Sequence, residues 1–488
     1  MRLAILEEIP PGRLFIGGDW TDSLSGRSFP TFNPATGEVL GRVPLADAAD
    51  VDRAVRAADE AFPAWAATPG SERGMRLRAL AASLRQHREE LARLDALTSG
   101  NVISGMRRDV EWAAESLEYF AGLIPELKGE TLPSDATALH YTVREPFGVV
   151  AKINPFNHPI RFAAEKLAAP LAAGNTVVLK PPEQAPLSSL VLGRLVQNIF
   201  PPGVVNIVTG DGPTTGAALV RHPLVRRIAL IGSVEAGRAV MRAASDGLKT
   251  VTLELGGKNP FIMFPDVDPD EAAAAAVGAM NFNRAGQSCS STSRVFVHRA
   301  LHDAFVQALL RRLTTLRLGP PESDESEIGC LISREQYDRV LAYIESGQRE
   351  GARLLHGGGP PEDPELRRGF FVQPTVFDDV RPEMKIAQEE IFGPVVAILT
   401  WDDEEEMIRQ VNGVIYGLSA AIYTHDYAVA HRLARRIEAG YIWVNIPGGH
   451  ALGSPYGGIK QSGLGREECL DELLSYTQVK SIRMRLTR

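Results

Sequence analysis

Cysteine is scarce in this chain: there are three in 488 residues, Cys289, Cys330 and Cys469, with no CxxC or CxxH pair among them. That usage excludes a disulfide framework, argues against a zinc site and fits a reducing cytoplasm. No uninterrupted apolar run reaches the roughly 18 residues that a membrane span needs. The first residues meet Glu7, Glu8 and Pro10 before an apolar stretch of export-signal length can form. Basic clusters are missing as well. Lys and Arg number 52 against 60 Asp and Glu, a formal net charge of -8, so neither nucleic acid nor an anionic membrane is an expected partner. No GxGxxG follows a strand candidate, so the commonest dinucleotide fingerprint is absent.

What the chain does have is apolar material, 44% of residues, enough for two large cores in a chain longer than one core usually supports. Residues 13–45 read as short strands and turns. Val51, Val55, Ala58, Phe62 and Trp65 then recur at helical steps. Leu77, Leu80, Leu84, Leu91 and Leu94 predict a second helix, and Glu111 to Leu123 a third. Residues 128–146 alternate around a Pro-Ser-Asp turn, which predicts an extended hairpin. Apolar strand candidates at 149–153, 176–180, 204–210, 227–233 and 250–255 alternate with helical stretches at βαβ spacing. They predict a parallel, doubly wound sheet whose ligands meet the carboxyl ends of its strands. A second α/β pattern follows Gly257, and the tail, 475–486, alternates like a final strand.

Cys289 sits in unusual company. Gly286 permits a sharp turn ahead of it, and Ser288, Ser290 and Ser291 surround it with hydroxyls in place of methyls. That suits a nucleophile better than a core. A helix starting just after Cys289 would favour the thiolate through its free N–H groups and dipole. A buried structural thiol is the alternative.

Seven motifs, PFNHP (155–159), LKPPE (179–183), GSxxxG (232–237), LELGGK (253–258), GQSC (286–289), EEIFGP (389–394) and YGGIKQSGLGRE (456–467), together resemble the aldehyde dehydrogenase superfamily. They do so in family order and at family-like spacing, with Phe156 where the family's tryptophan is familiar. The resemblance implies that Cys289 attacks the aldehyde, because an sp² aldehyde C–H is no hydride donor until its carbon is tetrahedral. It makes the Asn157 amide and the Cys289 N–H an oxyanion hole, Glu254 the base for thioester hydrolysis, and Lys166 a neighbour of the proton path. Burial of Glu254 would raise its pKa into a useful range. Without the family, Asn157 reads as a turn residue capping a helix, Glu254 as a cap for the next turn, and Lys166 as a surface lysine.

The cofactor contacts implied are Asn154, Lys180, Glu183, Gly232, Ser233, Glu390 and Phe392. Gly232-Ser233 would open a helix whose N-terminus meets a pyrophosphate. A carboxylate at Glu183 suits the ribose hydroxyls of NAD and repels a 2'-phosphate, NADP remaining the alternative. His158, Arg161, Phe162, Ser288, Ser290, His450 and Tyr456, with Glu165 and Asn283, match the family's aldehyde tunnel, and most of them are polar. A polar or anionic aldehyde is therefore expected, with Arg161 and His450 as partners for an anion. Alternatively Arg161 pairs with Glu165 one helical turn along.

By the same resemblance the fold is α/β, with two doubly wound domains and a small β module. Residues 1–127 and 147–255 would form a Rossmann-like NAD-binding domain and 256–469 the catalytic domain. Residues 128–146 and 470–488 would form an oligomerisation module of a homodimer or homotetramer. A CoA-acylating enzyme is one competing reading, although that branch typically lacks a carboxylate where Glu254 stands. A non-catalytic relative is another, and it would have no need for Cys289 and Glu254 together.

Overall fold

The computed structural model describes residues 12–486; the N-terminal stretch read for export signals lies outside them. Its first sheet has eight strands, in the order Gly463–Leu464, Thr250–Glu254, Val225–Ile231, Val149–Ile153, Thr176–Lys180, Val205–Ile207, Arg13–Ile16 and Asp19–Asp22. The five central strands are parallel. From Val149–Ile153 the chain steps outward through Thr176–Lys180 to Val205–Ile207, then returns to build Val225–Ile231 and Thr250–Glu254 on the other side. The winding therefore reverses between Val149–Ile153 and Val225–Ile231, the kind of switch point at which open α/β sheets hold ligands.

Alternate residues of these strands feed two cores, as a sheet covered on both faces requires. Val150, Val177, Leu179 and Ile207 join the cluster under the helices Gly70–Gln86, Ile103–Leu123 and Pro159–Ala173. Val149, Ala151, Val178 and Ile228 join the opposite cluster, under the helix Ala48–Ala67. A second sheet of seven strands runs Arg353–His356, Thr375–Asp378, Val395–Trp401, Arg294–His298, Pro260–Met263, Ser419–Tyr423 and Tyr441–Val444. It has its own core. In a third sheet the tail Thr477–Arg485 pairs antiparallel with Ala138–Pro146, which in turn holds Thr131–Leu132. The predicted hairpin and tail strand thus form one element.

Three expectations change. The leucine-rich second helix is two helices, Gly70–Gln86 and Arg88–Ser99, broken at His87, whose ring donates to the Ser83 carbonyl at 2.8 Å. The strand expected over 204–210 is confined to Val205–Ile207. No helix begins at Cys289, which lies in a turn between the short 3-10 turn Phe282–Arg284 and the strand Arg294–His298. Among the described residues, no helix is long and apolar enough to cross a membrane, and no group of His, Cys, Asp and Glu is arranged to hold a metal ion.

Candidate active site

The turn that presents Cys289 is set by left-handed backbone at Asn281, Ala285 and Gly286. A side chain at Gly286 would meet the Gly393 carbonyl oxygen at 2.2 Å, so only glycine lets the two segments pass. Asn259 Nδ2 donates to the Cys289 carbonyl at 2.7 Å and to that of Ser291 at 3.0 Å, pinning the turn from the far side. Opposite it, Glu254 ends its strand, and the next residues cross to the second sheet. There Glu390 Oε1 accepts from the Gly257 N–H at 2.9 Å. A side chain at Gly256 would overlap the same carboxylate, 2.1 Å from Oε2.

Two cavities meet at Cys289, Glu254 and Ile231, the residues that line both. The first, of about 510 Å³, is bordered by Asn157, Gly232, Ser233, Glu390 and Phe392. Ser233 caps the helix Val234–Ser245, its Oγ accepting from the Ala236 N–H at 3.1 Å, and the first-turn N–H groups open toward the cleft. Phe392, itself at φ 58°, meets Phe156 edge-on at 5.6 Å. Asn154 follows the switch-point strand Val149–Ile153, and its side-chain Nδ2 is buried without a partner. Lys180 Nζ holds Glu183 at 2.9 Å, and neither residue borders the cleft itself.

The second cavity, of about 300 Å³, is lined mostly by residues with polar or charged side chains. It brings together His158, Arg161, Phe162, Lys166, Asn283, Ser288, Ser290, His450 and Tyr456, all anticipated from the sequence, with Arg108, Asp109, Trp112, Arg284, Glu467 and Glu468. Of the latter, only Glu467 fell within a recognised motif. Asp109, buried, pairs with Arg284 at 2.5 Å and accepts from His158 Nδ1 at 2.8 Å. Burial outweighs that carboxylate and pulls His158 down to about 4, so the ring is neutral. Ser288 and Ser290 satisfy each other at 3.1 Å.

Two expectations about charge are corrected here. Arg161 is not a free anion partner: it pairs with Glu165 at 2.8 Å, the alternative noted from the sequence, and with Glu468 at 3.2 Å. His450 contacts the same Glu468 at 2.9 Å. Nor is Lys166 a surface lysine. It is buried between Glu165 at 2.6 Å and Glu467 at 2.9 Å. Burial alone would lower its pKa, but the carboxylates outweigh it and hold the ammonium charged. Arg108, in contrast, is exposed at the cavity wall and pairs with no carboxylate among the described residues; it lies 2.7 Å from the Asn283 side-chain amide, whose oxygen accepts from it once the amide is turned over.

Around the thiol the electrostatics oppose ionisation. Burial, with the Glu254 and Glu390 carboxylates adding to it, pushes Cys289 up to about 12. The expected help from a helix dipole is absent because there is no helix. Burial and the neighbouring Glu467 raise Glu254 well above the usual carboxylate range, as expected for a desolvated base. Asn157 is not a helix cap: the helix Pro159–Ala173 has no side-chain cap. The Asn157 carbonyl accepts from Asn101 at 2.9 Å, whereas its side-chain Oδ1 is unpaired. Among the described residues the Asn157 amide and the Cys289 N–H make no hydrogen bond within the chain, leaving two donors on residues that line the same cleft.

Comparison with known proteins agrees with this geometry. The family model described as the aldehyde dehydrogenase family matches residues 20–482. The aldehyde dehydrogenase tropH of Talaromyces stipitatus is 50% identical over 480 residues, covering 97% of this chain and 93% of that protein. An NAD+ complex of the aldehyde dehydrogenase from Bacillus cereus superposes with a TM-score of 0.95 at 42% identity, covering 99% of this chain and 98% of the other. PnpE from Pseudomonas sp. WBC-3 gives 0.96 at 39% identity, with 98% of both chains covered. The chain belongs to the aldehyde dehydrogenase family.

Proposed function

We propose that this protein oxidises a polar or anionic aldehyde to its carboxylate with NAD, through a thiohemiacetal and a thioester on Cys289 that water hydrolyses. The supporting observation is that Cys289 and Glu254 stand together where the two cavities meet. The dinucleotide fits the larger cleft. A helix N-terminus suits its pyrophosphate, Glu390 and Phe392 suit its nicotinamide end, and the unpaired Asn154 amide adds a donor. Glu183, beside Lys180, favours NAD over NADP. When bound, NAD supplies the hydride acceptor.

The chain's own residues do the rest. Cys289 Sγ adds to the carbonyl carbon, and the developing oxyanion is met by the Asn157 amide and the Cys289 N–H. After the hydride has left, Glu254 takes a proton from water, the hydroxide adds to the thioester, and the C–S bond breaks to return the thiolate. Because burial and the neighbouring Glu467 raise Glu254 above the usual carboxylate range, its base form, and with it hydrolysis, increases as pH rises. The buried Lys166–Glu467 pair is the ionisable neighbour through which that proton leaves. With Arg161 held by Glu165 and Glu468, and His450 hydrogen-bonded to Glu468, Arg108 is the guanidinium at the cavity wall left to meet an anionic substituent. Residues 128–146 and 470–488 serve oligomerisation, giving a dimer or tetramer.

Glu254→Gln tests the sequence of steps. It releases about one NADH per active site in a burst and then slows by about 10²- to 10⁴-fold, the usual worth of a general base. Cys289→Ala shows no burst. A steady rate in Glu254→Gln equal to the wild type, or one restored by added CoA, overturns hydrolysis by Glu254.

A further inference from the structure

The Tyr456 hydroxyl is buried and makes no hydrogen bond of ordinary geometry among the described residues; the side chain it interacts with is the Cys289 thiol. The ring is firmly held: His450 stacks on it at 3.9 Å between centroids, and Tyr456 N and O exchange hydrogen bonds of 3.0 and 2.7 Å with the Glu467 backbone. Its hydroxyl therefore faces the Cys289 thiol by construction. Burying an unpaired hydroxyl is unfavourable, and phenylalanine would fill the same space without that cost. A neutral thiol is a poor acceptor, but a thiolate is a strong one.

We propose that Tyr456 is the donor that stabilises the Cys289 thiolate, its O–H contact with sulfur strengthening into a charge-assisted hydrogen bond when the sulfur is charged. This rests on the nucleophilic role given to Cys289 above. In the ionisation the S–H proton passes to solvent in the cavity and the phenol keeps its own. Burial, with the Cys289 and Glu254 charges adding to it, raises Tyr456 well beyond the usual phenol range, so the phenol remains a donor at every working pH. The charged groups facing the sulfur are Glu254 from its strand, Glu390 from the second sheet's loop and Arg161 from the helix Pro159–Ala173. Two of the three oppose ionisation, and the Asn157 amide and the Cys289 N–H are engaged by the substrate oxyanion, so the thiolate calls for a further neutral donor. Glu468 and His450 stand behind the phenol on the same loop.

A hydrogen bond to a charged acceptor lowers a thiol pKa by about one unit. That gives about tenfold more thiolate, each about threefold less nucleophilic, a net gain of about threefold near neutral pH. In Tyr456→Phe the midpoint for iodoacetamide alkylation of Cys289, followed by peptide mass spectrometry, rises by about one unit. The neutral-pH alkylation rate falls about threefold, while the Kd for NAD is unchanged. Cys330 and Cys469, both buried, report on the fold in the same digest by staying unlabelled. A ring-fluorinated tyrosine at 456 keeps the ring and strengthens the donor, so the midpoint falls. An unchanged midpoint in either variant overturns the proposal. The titration needs neither aldehyde nor NAD, so that failure leaves the dehydrogenase reading standing; wild-type turnover that survives complete alkylation of Cys289 removes that reading instead.

Discussion

At the scale of single residues, the candidate reacting groups picked out in the sequence come together in the structure, whereas part of the charge network around them had no sequence signal. Cys289, Glu254 and Asn157 could be read because each lies in a short motif whose neighbours are local: the GQSC turn, the strand end before Gly256, the loop after Val149–Ile153. For Arg161 the sequence offered an anion or the local Glu165 as partner, and the structure shows Glu165; the second partner, Glu468, lies 307 residues away, beyond any local pattern. Asp109 and Arg284 escaped notice for the same reason, being 175 residues apart yet ion-paired in the cavity wall. The surviving cation is Arg108, and its position makes a prediction. Arg108→Gln raises KM for a short aldehyde bearing a carboxylate by about tenfold, the worth of one charge-assisted hydrogen bond, and leaves KM for its uncharged analogue unchanged. Equal KM changes for both substrates would show that Arg108 does not read the anion.

Whole elements were more legible than their ends. The five central strands of the first sheet announce themselves as short apolar runs because both faces are covered, leaving no polar side to interrupt them. The break at His87 was invisible: no glycine or proline marks it, and the leucines continue in phase across it. The helix that would have favoured the Cys289 thiolate does not form, the serines bonding to the backbone and to one another instead; Ser291 Oγ donates to the Met280 carbonyl at 3.0 Å. Asn175 shows how distant elements are tied. Its Oδ1 accepts from the N–H groups of Phe147 and Gly148 at 2.8 and 3.2 Å, and its Nδ2 donates to the carbonyls of Pro170 and Tyr476 at 3.2 and 2.9 Å. Asn175→Ala strands two amide donors in a buried corner and lowers local stability by about 3 kcal/mol. Faster hydrogen exchange at Phe147, Gly148 and the start of the tail strand measures that loss, and unchanged exchange there would show that the clasp is dispensable.

Across the whole molecule, the site exists only because two sheets and a tail converge. Glu254 comes from the first sheet, Cys289 from the approach to the second, and the loop with Tyr456 and Glu467 runs on through Leu470–Ser475 into the strand Thr477–Arg485. That strand pairs with Ala138–Pro146 along one side only, so its outer edge offers a full row of backbone donors and acceptors. Val479 and Met484 are exposed on it, and Leu486 lies just beyond its end. An open edge with apolar side chains is a template for a second copy, and a stable pairing needs about 1,000 Å² or more of buried surface. Replacing Val479 and Met484 together by lysine adds charge without touching either cavity. Sedimentation equilibrium then shows a monomer, against the dimer or tetramer proposed for the wild type, with the Cys289 alkylation midpoint unaltered. If the doubly substituted protein keeps the wild-type mass, the tail edge is not the contact, and the module formed by residues 128–146 and 470–488 serves the fold of one chain alone.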